Sequence, residues 1–338
     1  MVTLNQPLAS PGIADMRWIR VEEASAVSAC RAIGQSLASQ LSFPPIRLSE
    51  VALAVTEAAS NLHKHAKQGA LLLRLSPDPE QPGLELITID SGPGFRDVRA
   101  ALRDGHSTAG TLGIGLGAIR RLADFADLYS VPGLGTALVA RFSAGDAPPA
   151  PRCAGLLRPI SGETECGDAF TVVQADGELT ALMCDGLGHG PLAAAASREA
   201  VAAVAAGPAA GPAALLERVH RRLDRTRGGA AAIVSVTGQV VRFAGLGNIA
   251  AWILTDDSRS GMLSVPGIAG HQARSIRQFE YELPDGAVVV LHSDGLSSRW
   301  DPQTMPGLAS RDPLLIAAAL LAAAGVHRDD AGILVLRP

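Results

Sequence analysis

Residues 143 to 156 read SAGDAPPAPRCAGL, and no other run limits the fold as much. Three prolines set among Gly and Ala can neither continue a helix nor occupy a central strand. Regular apolar patterning lies on both sides of the run. The chain therefore reads as two domains, 1–143 and 158–338, joined by a linker over 144–157, and its 338 residues are about twice the usual domain size.

Several function classes drop out early. The net charge is −4. The one dense basic run, RVHRRLDRTR (218–227), lacks interleaved aromatics, so it reads as the solvated face of a helix and nucleic acid is not expected as a partner. The longest apolar run, PLLIAAALLAAAG (313–325), falls short of the roughly 20 residues that cross a bilayer, so no membrane partner is expected either, and the location expected is cytoplasmic. Cys30, Cys153, Cys166 and Cys184 form no CxxC pair, which reads as small buried residues in a reducing compartment rather than structural zinc.

Patterning predicts an α+β protein. In the first part, apolar residues at 48, 51, 55, 59, 62 and 66 predict an amphipathic helix over 48–66. ALLLRL, LELITID and TALVARF read as strands, and LGAIRRLADFA as a second helix. In the second part, AFTVVQAD, ELTALMCD, AAIVSVTG, QVVRFAGLG, AAWILTD, AVVVLHSDG and AGILVLRP read as strands. Alanine-rich helices are predicted over 191–206 and 312–324, and many strands in hairpin-like pairs with few helices predict a sandwich.

The first part carries one candidate site. Glu57 and Asn61 stand four residues apart, on one helix face, where they can share a ligand. IDSGPGF ends a strand at Asp90, followed by Gly92 and Gly94, and GTLGIGLGAIRRL supplies Gly110, Gly113, Gly115 and Gly117 ahead of a helix. Glycines let backbone amides approach phosphate, and a helix N-terminus favours negative charge. In this order the motifs resemble the GHKL (Bergerat) ATP-binding α/β sandwich, and the stretch from Asp104 to Phe142 resembles the RsbT-type serine/threonine kinases of partner-switching pathways. The resemblance implies that Asn61 ligates the Mg²⁺ of ATP, Glu57 is the general base, Asp90 reads the adenine amino group, and the glycines form the lid.

The second part raises a different question, posed by MCDGLGHG (183–190). Asp-Gly after a strand is a common hairpin signal. A phosphate-cradling P-loop is excluded, since no Lys-Ser/Thr follows and the only lysines are Lys64 and Lys67. Company decides for a third reading: Asp168 in ECGDAF, Asp294 in LHSDGLSS, and Asp329 and Asp330 in HRDDAG all sit at ends of apolar strands. Clustered carboxylates without His or Cys favour hard cations such as Mg²⁺ or Mn²⁺. Their order resembles the PPM family of metal-dependent protein phosphatases, an αββα sandwich, in the branch of SpoIIE and RsbX. It implies a two-metal centre in which Asp185 bridges both ions, the Gly186 carbonyl binds one, Asp294 and Asp329 bind the other, and Asp168 holds a ligand directly or through water. Asp330 reads as structural, Gly247 and Asn248 read equally well as a turn, and no phosphate-binding arginine is assigned.

Together the resemblances imply a kinase using Mg-ATP and an opposing phosphatase acting on Ser/Thr of a STAS-domain partner, with a homodimer left open. Two rivals stay open: a phosphatase whose first domain only senses ATP or ADP, and a nucleotide-binding module that sequesters its partner.

Overall fold

The computed structural model describes residues 7–8, 16–78, 81–98, 115–143, 145, 151–175, 177–207 and 211–338. Gly110 and Gly113 lie outside the described residues. Two compact units divide the chain, one built on Asp15–Ala150, the other on Pro151–Ala317 and Ala324–Pro338 together with the short strand β1 (Pro7–Leu8).

In the first unit, β2 (Trp18–Arg20), β3 (Ala70–Leu75), β4 (Gly83–Asp90), β5 (Phe125–Val131) and β6 (Gly135–Ser143) form an antiparallel sheet of order β2-β3-β4-β6-β5. Helices α1 (Ala24–Ser39), α2 (Pro45–His65) and α3 (Gly115–Leu122) cover one face. Alternation explains the packing: Leu71 and Leu73, Leu84 and Leu86, and Leu138, Ala140 and Phe142 point to the helices, where they meet Val51, Val55, Ala58 and Leu62 of α2. Pro45 opens α2 at a position where its missing N–H costs nothing.

The opposite sheet face carries charge. Arg74, Glu85 and Arg141 are register neighbours on β3, β4 and β6, with Arg74 Nε 2.7 Å and Arg141 Nε 3.1 Å from the two oxygens of Glu85. All three are buried. Burial pushes the Glu85 carboxyl up, but the two guanidinium groups outweigh it and hold it below the usual range.

The predicted helix over LGAIRRLADFA ends early, at Leu122, and Phe125 onward is β5. Arg47 accounts for the stop: its Nη1 donates to the Leu122 carbonyl at 2.7 Å and its Nη2 pairs with Asp124, while seven residues of β5 pair with β6.

The second unit is two sheets face to face. One has the order β1-β8-β9-β10-β11-β14, with β8 (Asp168–Ala175), β9 (Glu178–Gly186), β10 (Gly229–Thr237), β11 (Val240–Leu246) and β14 (Phe279–Glu282). The other has the order β13-β12-β15-β16-β7, with β7 (Cys153–Arg158), β12 (Ala250–Leu254), β13 (Arg259–Gly261), β15 (Val288–His292) and β16 (Ala331–Leu336). Gly155 of β7 lies against the Phe170 ring of β8, so close that a Cβ there would clash. Helices α4 (Pro191–Ala205) and α5 (Pro212–Arg222) cover the outer face of the first sheet through Ala196, Ala200, Leu216 and Val219. A further apolar helix, α6, spans Pro313–Ala324.

Residues 153–157, read from the sequence as the end of the linker, are instead most of β7, which pairs over its whole length with β16. The prolines stop at Pro151, and a distant partner strand supplies the ladder. No helix among the described residues is long and apolar enough to cross a membrane.

Candidate nucleotide and metal sites

Within the first unit, α2 brings Glu57 and Asn61 to one half-buried face, one turn apart. Asn61 Nδ2 is buried without a partner among the described residues. Such an amide donor fits a ligand oxygen, and half a turn of the amide offers Oδ1 to a cation instead. The loop after β4 is tied on two sides: Ser91 N donates to the Lys67 carbonyl just beyond α2 at 2.9 Å, while Gly133 N donates to Pro93 O at 2.9 Å and Phe95 N to Ser130 Oγ of β5 at 2.9 Å.

Asp90 closes β4 and accepts from Gly92 N at 2.6 Å. Burial raises its carboxyl pKa, and that hydrogen bond only partly offsets the rise. Gly94 has φ +70°, and a Cβ there would lie 2.4 Å from the Val131 carbonyl, so no other residue makes this turn without strain. Gly115 and Gly117 fall in the first turn of α3, Gly115 facing open space and Gly117 buried.

The carboxylates of the second unit converge from both sheets. Asp168 opens β8 and Asp185 stands one residue from the end of β9, and the antiparallel register places them directly opposite each other. Asp294 follows β15 in the turn after Ser293, and Asp329 and Asp330 precede β16. Asp168 is 1% exposed, and its Oδ2 accepts from Ser293 Oγ at 2.6 Å, while its Oδ1 has no donor. Burial first, then the charge of Asp185, pushes the Asp168 carboxyl well above the usual range. Asp185 is pushed up to about 7 by burial and by Asp294, Asp329 and Asp330. Asp294 is raised by burial and Asp329, against the stabilising hydrogen bond from Asn248 Nδ2 at 2.7 Å.

These four acids therefore share one electrostatic neighbourhood. An orphaned buried oxygen and acids that resist ionising are what a hard-cation site presents when oxygen is the only donor type. Among the described residues, however, no three carboxylate, imidazole or thiol groups form a ready-made cage around one point. Asp330 plays a different part: it accepts from Ile160 N at 2.7 Å and Gly167 N at 2.8 Å, tying the two sheets. Gly186 is squeezed against α4, since a Cβ there would lie 2.2 Å from the Ala193 carbonyl. Cys166 and Cys184, both buried, have their thiols raised by burial, as inert residues should.

Three supporting features escape a linear reading. Asn248 reaches Asp294 across 46 positions. Ser293 bridges sheets, donating to Asp168 and accepting from Gly332 N at 2.9 Å. The turn bearing Asp294 is braced by Arg259, whose guanidinium lies 4.1 Å and 4.3 Å from the rings of Trp252 and Trp300 and donates to Ser298 O at 2.7 Å. Trp252 Nε1 in turn donates to His292 Nε2 at 3.2 Å, and His292 Nδ1 to Ser293 O at 2.8 Å. Burial lowers the His292 pKa, which suits this neutral, Nδ1-protonated form.

Comparison with known proteins finds a family match for a stretch of each unit. Residues 20–142 match the histidine kinase-like ATPase domain, a range that holds Glu57, Asn61 and Asp90. The serine/threonine-protein kinase RsbT of Bacillus subtilis (strain 168) is 34% identical over 126 residues, covering 37% of this chain and 95% of that kinase. The chain belongs to the RsbT family. Its RsbT-like domain is followed by a match to stage II sporulation protein E (SpoIIE) over residues 175–337, which contains Asp185, Asp294 and Asp329 and begins just after Asp168. A solved structure from work on the bacterial stressosome as a modular system controlling secondary messenger signalling is 28% identical, with a TM-score of 0.51, covering 55% of this chain and 98% of that one. RsbX crystallised with magnesium is 19% identical, with a TM-score of 0.47, over 54% of this chain and 92% of that one. The RsbT-like chain is thus a mixed α/β protein with an ATPase-type domain and a phosphatase-type domain.

Proposed function

We propose that the chain is a bifunctional regulator that phosphorylates and dephosphorylates serine or threonine on a partner of the STAS class. The observation that carries this reading is that one chain holds both an RsbT-type half with Glu57 and Asn61 one turn apart and a phosphatase-type half with four acids in one neighbourhood. In the first half, Glu57 accepts the proton of the attacking hydroxyl, Asn61, whose amide is orphaned in the fold, would ligate the Mg²⁺ of ATP, and Asp90 receives the adenine amino group.

In the second half, Asp168, Asp185, Asp294, Asp329 and the Gly186 carbonyl would hold two divalent cations, Mn²⁺ or Mg²⁺. When bound, these supply Lewis acidity and an activated water for in-line attack on the phosphoester. Asn248 holds one oxygen of Asp294 by a hydrogen bond, and Ser293 fixes the Asp168 oxygen it bonds, leaving the other for a ligand.

The test is to incubate the purified full-length protein with ATP, Mn²⁺ and a candidate STAS protein. Asp185→Asn should accumulate phosphorylated partner, Glu57→Ala should strip pre-phosphorylated partner, and mapping should find one shared residue. If the two variants act on different residues, the opposing-switch reading fails.

A further inference from the structure

We infer that Trp252 and His292 are positioning residues of the phosphatase-type metal site, fixing the serine that holds Asp168 and the peptide that leads to Asp294. The inference rests on the metal centre proposed above and adds to it the groups that keep two of its ligands in place.

Both ligands depend on Ser293. Its N–H donates to the Gly332 carbonyl at 3.0 Å and its Oγ accepts from Gly332 N at 2.9 Å, so the residue just after β15 is clamped to β16. The same Oγ donates to Asp168 Oδ2 at 2.6 Å. Its carbonyl belongs to the peptide that joins it to Asp294, in a turn where Leu296 N donates to that oxygen at 3.2 Å. A shift of Ser293 is therefore felt at Asp168 through the hydroxyl and at Asp294 through the chain.

His292 fixes the direction of that peptide. An indole N–H can only donate, so Trp252 Nε1, 3.2 Å from His292 Nε2, requires this nitrogen to accept. The single ring proton then sits on Nδ1, which donates to the Ser293 carbonyl at 2.8 Å. With the proton on Nε2 instead, the lone pairs of Nδ1 and of the Ser293 oxygen would face each other, and His292 is fully buried. Trp252 thus sets the tautomer, and the tautomer sets the peptide.

Trp252 is held in its turn. It pairs with Val290 while Ala250 pairs with His292, so Trp252 and His292 are diagonal neighbours on one face of adjacent strands. Arg259 of β13 stacks against both Trp252 and Trp300, whose rings meet edge to face with centroids 6.1 Å apart. The two indoles differ in one respect. Trp252 Nε1 bonds His292, whereas Trp300 Nε1 has no acceptor among the described residues.

The experiment is calorimetric titration of the full-length protein with Mn²⁺, together with NMR of the imidazole nitrogens in protein carrying isotope-labelled histidine. The His292 signals are assigned by their loss in His292→Gln. The wild type should carry the proton on Nδ1. Trp252→Phe keeps a ring against Arg259 but deletes the N–H; it should populate the other tautomer and weaken Mn²⁺ about ten-fold, the lower end of what losing an outer partner of a metal ligand costs. Trp300→Phe makes the same chemical change on the N–H that bonds nothing, and should leave both readings at wild-type values. A wild type protonated on Nε2 would overturn the inference whatever the variants do. So would Mn²⁺ affinity in Trp252→Phe within about two-fold of wild type, equal losses in the two Phe variants, or no Mn²⁺ binding by the wild type at millimolar concentration. A wild type that binds Mn²⁺, and binds it more weakly as Trp252→Phe, yet hydrolyses no phosphoserine peptide, removes the phosphatase reading and leaves the positioning role standing.

Discussion

Replacing Asp185 by Asn should make the metal-free protein more stable while destroying the activity proposed for it. The native fold moves this carboxyl from 3.8 to about 7 through burial and the charges of Asp294, Asp329 and Asp330. Each pKa unit is about 1.4 kcal/mol, so the ionised group weakens the native state by up to roughly 4 kcal/mol. Its neighbours share that strain, and roughly 2–4 kcal/mol should be recovered by the amide. The native state holds the proton more tightly than the unfolded chain does. The contribution of this group to native stability is therefore fullest below pH 3.8, falls as pH rises and levels off above about 7. The gain should be small near pH 4 and largest at pH 8. Scanning calorimetry in EDTA would read it as a rise of roughly 5–15 °C in the transition that Mn²⁺ shifts in the wild type, at about 2–4 °C per kcal/mol. Mn²⁺ should then stabilise the wild type but not the variant. No gain in EDTA at pH 8, or an equal gain at pH 4 and pH 8, would refute the reasoning.

Two further outcomes are expected. Asn61→Ala should weaken Mg-ATP binding about ten-fold, whereas Glu57→Ala should bind ATP normally and transfer no phosphate; equal loss of affinity in a nucleotide titration would show the roles to be misassigned. Glu85→Ala should cost the first domain about 3–5 kcal/mol by leaving Arg74 and Arg141 without their shared carboxylate. Because the Glu85 pKa is lowered in the fold, its contribution is present above the usual 4.5 and lost as pH falls through the depressed value, so the wild type and Glu85→Ala should converge in urea titrations at acid pH.

What the sequence made legible follows the range of the interactions involved. Asp168, Asp185, Asp294 and Asp329 stood out because each lies at one end of an apolar run that forms a strand whatever its partner. The spacing of Glu57 and Asn61 is a property of α2 alone. By contrast α1 gave little signal, since it buries Cys30, Gly34 and Ala38, small residues that leave no strong apolar stripe. Phe125 reads as helical by local spacing, and only β6 makes it a strand. The Arg74–Glu85–Arg141 row exists only once three strands are in register, and the link from Asn248 to Asp294 only once two strands have paired.

The pairing of β7 with β16 has a consequence for timing during synthesis. Strand β7, Cys153–Arg158, has to wait for Ala331–Leu336 before its sheet can close, and Asp329 arrives only with that last strand. At about 5–20 residues per second on the ribosome, the wait is roughly ten to forty seconds. Every strand of the first unit has been made before it begins, since β6 ends at Ser143. Each newly made copy therefore passes through an interval in which its nucleotide-binding half can be folded while the half proposed to oppose it cannot yet exist.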